Sequence, residues 1–210
     1  MYRHVEGMTF QELKSRGDVQ DMAEAAYAIG AALARLQTFS LAWPAGPALC
    51  LEITDECLCS PVLEQRLGGA ERDRLRDFVS VWLPQIRQLH QEKELVHGDF
   101  SNRNTIVKRE GRRWVVTGIL DWEHAFSGSP LWDAARFICF ERWARPCREP
   151  HFSRGFCENG GSLPKNWSMF SRALNAFTTI ESLSRPDLPE RFIPDLRELI
   201  VATLDGRDLS

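Results

Sequence analysis

The chain has 210 residues, of which 43% are hydrophobic and 26% are charged, as is typical of a single folded globular domain. This composition argues against a disordered, collagenous or multidomain protein. The formal net charge of −3 supplies no general field for nucleic acid or anionic lipid, so we expect neither as a partner. The longest apolar stretch, residues 25–34, is about half as long as a membrane-spanning helix, so we expect none.

Helical patterns dominate the first half of the chain. Asp18 is a suitable N-cap, and apolar residues recur at helical spacing from there to Leu36, which predicts a helix of about five turns. Residues 39–60 contain prolines and a glycine without a sustained period, so they predict a long connection. Residues 71–91 carry the strongest helical period, and Pro84 is expected to kink this helix or end it early.

The second half contains the predicted strands. Two extended runs, 105–108 and 114–122, are separated by a polar stretch with a glycine, which predicts a β-hairpin. Ser129 and Pro130 form a typical helix start. Further helices are predicted near 167–183 and 189–204.

Six cysteines are spread irregularly, and no apolar secretory segment opens the chain. We therefore interpret them as reduced thiols of a cytoplasmic protein. The spacing of Cys57 and Cys59 matches no usual zinc pair. The remaining cysteines are Cys50, Cys139, Cys147 and Cys157.

The hairpin brings polar side chains together at its open end. If its centre lies between Arg112 and Arg113, Asn104 faces Asp121, and Asp99 lies in the loop that enters the same end. Two carboxylates and an amide provide the oxygen ligands that Mg²⁺ prefers, with room for phosphate oxygens and water. The arrangement therefore indicates phosphoryl transfer.

Each of these residues also has a purely structural interpretation when taken alone. A histidine-glycine-aspartate tripeptide such as 97–99 is usually a turn without chemistry. Asp121 would then cap a strand end, and Asn104 would form a turn. The combination of both segments at hairpin distance favours the functional interpretation.

The segment 97–104 has the form H-G-D-x-x-x-x-N, and residues 121–123 follow as a D-W-E variant of a metal-binding aspartate motif. With the helix start at 128–133, they resemble the aminoglycoside phosphotransferase and choline kinase-like family, which has a protein-kinase-like fold. The resemblance covers nearly the whole chain. It implies an α+β fold, a mostly helical C-terminal lobe with a small hairpin at 18–210, preceded by a hinge remnant at 1–17.

The family resemblance implies transfer of the γ-phosphoryl group of ATP to a hydroxyl of a small molecule. Asp99 would be the catalytic residue at the substrate hydroxyl, and Asn104 and Asp121 would hold Mg²⁺ on the nucleotide phosphates. His97 would brace the catalytic loop, and Asp133 would be a buried structural partner. The adenine edge would be bound by backbone groups of His4, Val5 and Glu6.

Kinases of this fold also have an N-terminal lobe with a glycine-rich loop and a phosphate-binding lysine. The chain begins at the hinge, and none of its lysines follows a glycine-rich strand-turn-strand pattern. We expect either the C-terminal lobe of a longer or truncated protein, or a complete chain with weak ATP turnover and an exposed apolar surface. The alternative function is a non-catalytic kinase-like module that binds a metabolite or a partner protein.

The substrate stays open at this point, as does the oligomeric state. Glu141, Glu149, Glu158 and Glu181 would suit a site for a cationic substrate such as an aminoglycoside or choline. Solvated surface charge is the interpretation that we favour for them.

Overall fold

The computed structural model describes residues 5–39, 49–89, 92–139 and 147–206, with the backbone alone at 49–53. In these ranges the helices are α1 (Phe10–Arg16), α2 (Val19–Leu36), α3 (Leu49–Leu58), α4 (Pro61–Leu67), α5 (Gly69–Leu89), α6 (Leu131–Phe137), α7 (His151–Glu158), α8 (Trp167–Ser184) and α9 (Ile193–Leu204). The strands are β1 (Met8–Thr9), β2 (Glu94–Val96), β3 (Thr105–Glu110), β4 (Arg113–Ile119) and β5 (Phe126–Gly128). Short 3-10 turns occupy Trp122–His124 and Glu190–Phe192.

The strands form two small antiparallel sheets. The first has the order β1-β3-β4. The second pairs β2, which precedes the hairpin in sequence, with β5, which follows it. Helices make up most of the remaining described chain. The predicted α+β fold class, mostly helical with a small hairpin, is confirmed.

Two hydrophobic clusters form the core. One lies among α4, α5, α8 and α9 and buries residues such as Leu75 and Phe177. The other lies among α1, α2, the hairpin, α6 and α7, and it includes Phe10, Phe100 and Phe137. Phe100 belongs to the loop that carries Asp99, so this loop is packed onto the second cluster.

The predicted long helices are present, with one difference. The Asp18 side chain accepts a hydrogen bond from the Asp21 N–H and begins α2, as expected. Of the two effects expected of Pro84, an early end of the helix is wrong, because α5 continues through Pro84 to Leu89; a kink stays a prediction. Burial of its apolar face, including Val79 and Ile86, offsets the hydrogen bond that the proline cannot donate.

The expected long connection at 39–60 is partly wrong. Helix α3 begins at Leu49, whereas residues 40–48 lie outside the described residues. Helix α4 was not predicted, although the Ser60 side chain caps it by accepting from the Val62 N–H and Pro61 stands at its first turn. Helix α7 was also not predicted.

The register of the hairpin differs from the prediction. Glu110 pairs with Arg113, so the turn is centred one residue earlier than expected and each β3 residue next to the turn has a partner two positions earlier in β4. A bulge between Ile106 and Val107 reduces this shift to one position at the open end of the hairpin. The Leu120 N–H then donates to the Asn104 carbonyl at 2.8 Å. Asn104 therefore faces Leu120, and Asp121 lies one residue beyond, at the same end of the hairpin.

No described helix is long and apolar enough to cross a membrane. The described cysteines are free thiols, and Cys50 lies outside the residues whose side chains are described. The free cysteines are Cys57, Cys59, Cys139, Cys147 and Cys157.

Helices α2 and α7 pack at a close crossing through two glycines. A Cβ on Gly30 would lie 2.1 Å from the Phe152 carbonyl oxygen, and a Cβ on Gly155 would lie 2.1 Å from the Tyr27 carbonyl oxygen. Each glycine therefore allows the backbone of the opposite helix to approach more closely than any side chain would permit.

We expect Gly30→Ala to destabilise the protein by about 1–3 kcal/mol or more, because the added methyl group collides with the backbone of α7. Gly69→Ala is the matched control, since its Cβ would meet its nearest neighbour, a Glu64 side-chain atom, at an ordinary 3.7 Å. Urea unfolding monitored by circular dichroism measures both free energies. Equal stability of the two variants would contradict a close α2–α7 crossing.

Candidate active site

A buried carboxylate anchors the loop that carries Asp99. Asp133 lies in the first turn of α6 and is fully buried. Its two carboxylate oxygens accept the backbone N–H groups of His97, at 2.7 Å, and Gly98, at 3.0 Å. Burial raises the pKa of Asp133 to about 7, although the two backbone donors act in the opposite direction. The two peptide groups that precede Asp99 are thus tied to α6.

Gly98 allows the loop to lie against the turn that follows β4. Its φ is +83°, and a Cβ there would lie 2.2 Å from the His124 carbonyl oxygen. Both the left-handed conformation and the close approach require glycine at this position.

His97 links the loop to the end of β4. Its Nδ1 accepts from the Asp99 N–H at 3.2 Å, so Nε2 carries the proton and donates to the Leu120 carbonyl at 2.7 Å. Burial lowers the pKa of His97, which favours this neutral form. The ring centroid also lies 4.6 Å from that of Trp122.

The Asp99 carboxylate is held from two sides. Asn104 Nδ2 donates to Asp99 Oδ2 at 3.0 Å and to the Asp99 carbonyl at 2.9 Å. Arg136 Nη2 lies 3.2 Å from Asp99 Oδ1, and the Asp99 side chain is 33% exposed. The carboxylate is therefore fixed in orientation while it stays accessible from the cavity beside it.

Asp121 follows β4 in a left-handed conformation, with φ +67°. This conformation is uncommon for residues other than glycine, although aspartate tolerates it better than most. Asp121 is exposed, and its neighbours Leu120 and Trp122 are 40% and 37% exposed. The expectation of an exposed apolar surface left by an N-terminal lobe stays a prediction.

Asn104 and Asp121 supply one amide oxygen and one carboxylate at the end of the hairpin. Because the Asn104 amide nitrogen faces Asp99, its Oδ1 is the atom left for a metal. Among the described residues there is no group of three or more histidine, cysteine, aspartate or glutamate side chains that could hold a metal. Mg²⁺ is commonly bound by one or two protein oxygens with substrate phosphates and water, so this donor pair fits a nucleotide-bound Mg²⁺.

The segment predicted as the hinge lies along the hairpin. The Glu6 carbonyl accepts from Thr117 Oγ1 at 2.7 Å, and Glu6 Oε2 accepts from Lys108 Nζ at 2.6 Å. Val5 lies against Gly118, whereas His4 lies outside the described residues. Adenine binding by His4, Val5 and Glu6 stays a prediction.

Sequence reasoning missed two arginines of the site. Arg136, three residues after Asp133 on α6, pairs with Asp99. Its helical spacing from Asp133 was a signal that could have drawn attention to it. Arg148 is 2% exposed and donates to Asn102 Oδ1 at 3.1 Å and to the Phe137 carbonyl. No local pattern marks Arg148, because its partners are distant in sequence.

A loop carboxylate held by an amide, a second carboxylate at a hairpin end and a mostly helical lobe are together typical of a protein-kinase-like fold. Two solved structures share it. Choline kinase LicA from Streptococcus pneumoniae is 13% identical, with a TM-score of 0.63 over 98% of this chain and 69% of that chain. The GDP complex of wild-type aminoglycoside 2'-phosphotransferase-IIIa is 16% identical, with a TM-score of 0.67 over 99% of this chain and 70% of that chain.

Residues 1–167 match the phosphotransferase enzyme family, and the chain belongs to this family. A curated relative, acyl-CoA dehydrogenase family member 11 from Pongo abelii, is 28% identical over 178 residues, which are 80% of this chain. The match covers 22% of that relative, so the chain spans about a fifth of its length.

We expect the free energy of unfolding of the wild type to fall, relative to that of Asp133→Asn, as the pH rises from about 4 to about 7. The pKa of Asp133 is 3.8 in the unfolded reference and about 7 in the fold, so the folded state holds this proton more tightly. The stability that this proton contributes is complete below pH 3.8 and is lost as the pH rises through about 7. Urea unfolding of both proteins at several pH values measures the difference. A difference that grows with pH would mean that the fold stabilises the ionised carboxylate.

Proposed function

We propose that the protein catalyses Mg²⁺-dependent transfer of the γ-phosphoryl group of ATP to a hydroxyl of a small molecule. The observation that carries this proposal is the Asp99 carboxylate, which Asn104 and Arg136 fix and which is open to a cavity. Asp121 lies at the same end of the hairpin as Asn104. Family membership supports the same reaction class.

Asp99 is the catalytic residue in this proposal. A carboxylate at this position orients the substrate hydroxyl and accepts its proton as the new oxygen–phosphorus bond forms. Asn104 fixes Asp99 Oδ2, and the N–H bond to His97 fixes the backbone of Asp99. The free side of the carboxylate can then meet a hydroxyl without a reorientation step.

Asn104 Oδ1 and the Asp121 carboxylate would hold Mg²⁺. When bound, the ion neutralises charge on the nucleotide phosphates and aligns them for transfer. The GDP complex of the related aminoglycoside 2'-phosphotransferase-IIIa supports nucleotide use by this fold.

Arg136 is a positioning residue for Asp99. Its guanidinium offsets the negative charge of the carboxylate, which would otherwise repel the incoming γ-phosphate in a partly desolvated cleft. The ion pair also limits the rotation of Asp99 about its side-chain bonds.

We further infer that residues 1–17 form the hinge of a two-lobe kinase and 18–210 the C-terminal lobe. Val5 and Glu6, with His4, would bind the adenine edge through backbone groups. The packing of Val5 and Glu6 against the hairpin supports a fixed path for this segment. We also infer a cytoplasmic location, supported by the free cysteines.

Asp99→Asn should lower phosphoryl transfer by about 10²-fold or more, because the amide cannot accept the substrate proton. The expected unfolding transition is close to that of the wild type, since asparagine keeps the shape of the side chain. ADP release with Mg²⁺, ATP and a panel of hydroxyl compounds measures turnover. Glu110→Gln, which removes an exposed carboxylate at the turn end of the hairpin, opposite to the site, is the matched control and should leave turnover unchanged. Undiminished turnover of Asp99→Asn would exclude its role.

Asp121→Asn should abolish the Mg²⁺ dependence of nucleotide binding, because the amide is a weaker metal ligand than the carboxylate. Isothermal titration calorimetry with AMP-PNP, with and without Mg²⁺, measures this on Asp121→Asn, on the wild type and on the control variant Glu110→Gln. If the folded wild type binds no nucleotide under any of these conditions, the non-catalytic module becomes the better description.

A further inference from the structure

A second cavity lies away from the catalytic loop, between α2, the start of β4 and α7. Its volume is about 830 Å³, within the usual range of about 300–1,000 Å³ for small-molecule sites. Among the described residues, this cavity and the one beside Asp99 have no lining residue in common. The phosphoryl transfer that we propose therefore gives the second cavity no role.

The hairpin separates the second cavity from the proposed active site. The cavity is lined by residues 113–116 at the start of β4, whereas Asp121 follows the last residue of the strand, Ile119. Because a strand rises about 3.3 Å per residue, Val116 and Ile119 lie about 10 Å apart, and Asp121 lies further along the chain. A ligand in the second cavity would therefore lie at the other end of the hairpin from Asn104 and Asp121.

One face of α2 forms an apolar floor in this cavity. Ala28, Ala31 and Ala32 line it from successive turns of the helix, and their short side chains leave room that longer ones would fill. Trp114 and Val116 of β4 add apolar surface beside them. Burial of apolar ligand surface is favourable here, so this part of the cavity suits the apolar body of a small molecule.

Four arginines also line the second cavity. Arg112 and Arg113 come from the hairpin turn and the start of β4, Arg35 from the last turn of α2, and Arg154 from α7. Among the described residues, no carboxylate forms an ion pair with any of these four. The Arg154 guanidinium lies 5.3 Å from the centre of the Tyr27 ring, and such stacking leaves its N–H groups available to an anion.

Two carboxylates line the cavity as well, and one of them has an unpartnered oxygen. Glu158 Oε2 accepts from Tyr27 Oη at 2.8 Å. Glu24 Oε1 accepts from Gln20 Nε2 at 2.7 Å, whereas Glu24 Oε2 is buried without a hydrogen-bond partner among the described residues. A buried acceptor without a donor is costly, so Glu24 Oε2 suits an N–H or O–H group of a ligand.

The arginines of the hairpin and Glu24 lie at the same end of the cavity. Trp114 Nε1 donates to Asp21 Oδ1 at 2.9 Å, which holds the start of β4 against the first turns of α2. Glu24 follows Asp21 by about one helical turn. This end of the cavity therefore offers guanidinium groups for an anion and a carboxylate oxygen for a donor.

We propose that the second cavity is a ligand site for a small amphipathic anion. The apolar body of the ligand lies on the alanine face of α2, its anionic group meets Arg112 and Arg113, and an N–H or O–H group donates to Glu24 Oε2. Arginine binds carboxylate and phosphate groups through charge-assisted hydrogen bonds, and four arginines against two glutamates disfavour a cation. The proposal concerns binding alone and does not depend on the phosphotransferase function.

Four compounds of similar size test this chemistry by isothermal titration calorimetry on the full chain. Indole-3-acetate combines an apolar body, a carboxylate and an N–H group, and naphthalene-1-acetate lacks the N–H group. Tryptophol is neutral, and tryptamine is cationic. We expect indole-3-acetate to bind about tenfold more tightly than tryptophol, and tryptamine to bind no better than tryptophol. Naphthalene-1-acetate should bind several-fold more weakly than indole-3-acetate. Equal binding of all four compounds, preferred binding of tryptamine, or no binding of indole-3-acetate would overturn the proposal.

Two double variants test the position of the anionic group. Arg112→Gln/Arg113→Gln should weaken binding of indole-3-acetate by about tenfold, because two charged contacts are lost. Both positions are exposed, so the fold tolerates the change. Arg87→Gln/Arg197→Gln is the matched control, since it removes two exposed arginines of α5 and α9 outside the lining and should leave binding unchanged. An equal effect of the two variants would show general charge attraction and would refute a specific site.

Glu24→Met tests the position of the hydrogen-bond donor. The variant keeps the length of the side chain and removes the acceptor, so indole-3-acetate and naphthalene-1-acetate should then bind equally. The ratio of the two affinities is the measured quantity, because the loss of a nearby negative charge affects both anions alike. An unchanged ratio would contradict the proposed placement of the ligand.

Asp99→Asn separates the two cavities. Binding of indole-3-acetate should be unchanged in this variant, because the substitution lies in the lining of the other cavity. Loss of binding would place the ligand beside Asp99 and would overturn a second site. Turnover is measured separately, so a failure of the phosphotransferase proposal would leave the outcome of this test unaffected.

Discussion

The geometry of the site depends on the buried carboxylate of Asp133. Its two oxygens accept the backbone N–H groups of His97 and Gly98, so both peptide groups are satisfied without water. A hydrogen bond of this kind contributes about 0.5–1.5 kcal/mol to stability, and a buried N–H left without a partner costs about 1–3 kcal/mol. The position of Asp99 therefore follows from that of α6, since the intervening backbone has little freedom.

The site residues that sequence analysis identified are those whose relationship is local. His97, Asp99 and Asn104 lie within one loop, and the hairpin that follows brings Asp121 back to that loop through a short turn. The pairing register could not be predicted, because a bulge between Ile106 and Val107 has no marker in the sequence.

The parts of the fold and site that sequence analysis missed depend on tertiary contacts. Helix α7 has only eight residues, too few for a reliable period, and its packing against α2 depends on the close approach at Gly30 and Gly155. Arg148 reaches the catalytic loop across 46 residues of sequence.

Helix α6 carries both Asp133, which holds the loop backbone, and Arg136, which holds the Asp99 carboxylate. Any rotation or displacement of this helix would disturb both contacts at once, so the two cannot vary independently among descendants of this protein. A substitution that shifts α6 would therefore be felt twice, in the path of the loop backbone and in the orientation of the Asp99 carboxylate.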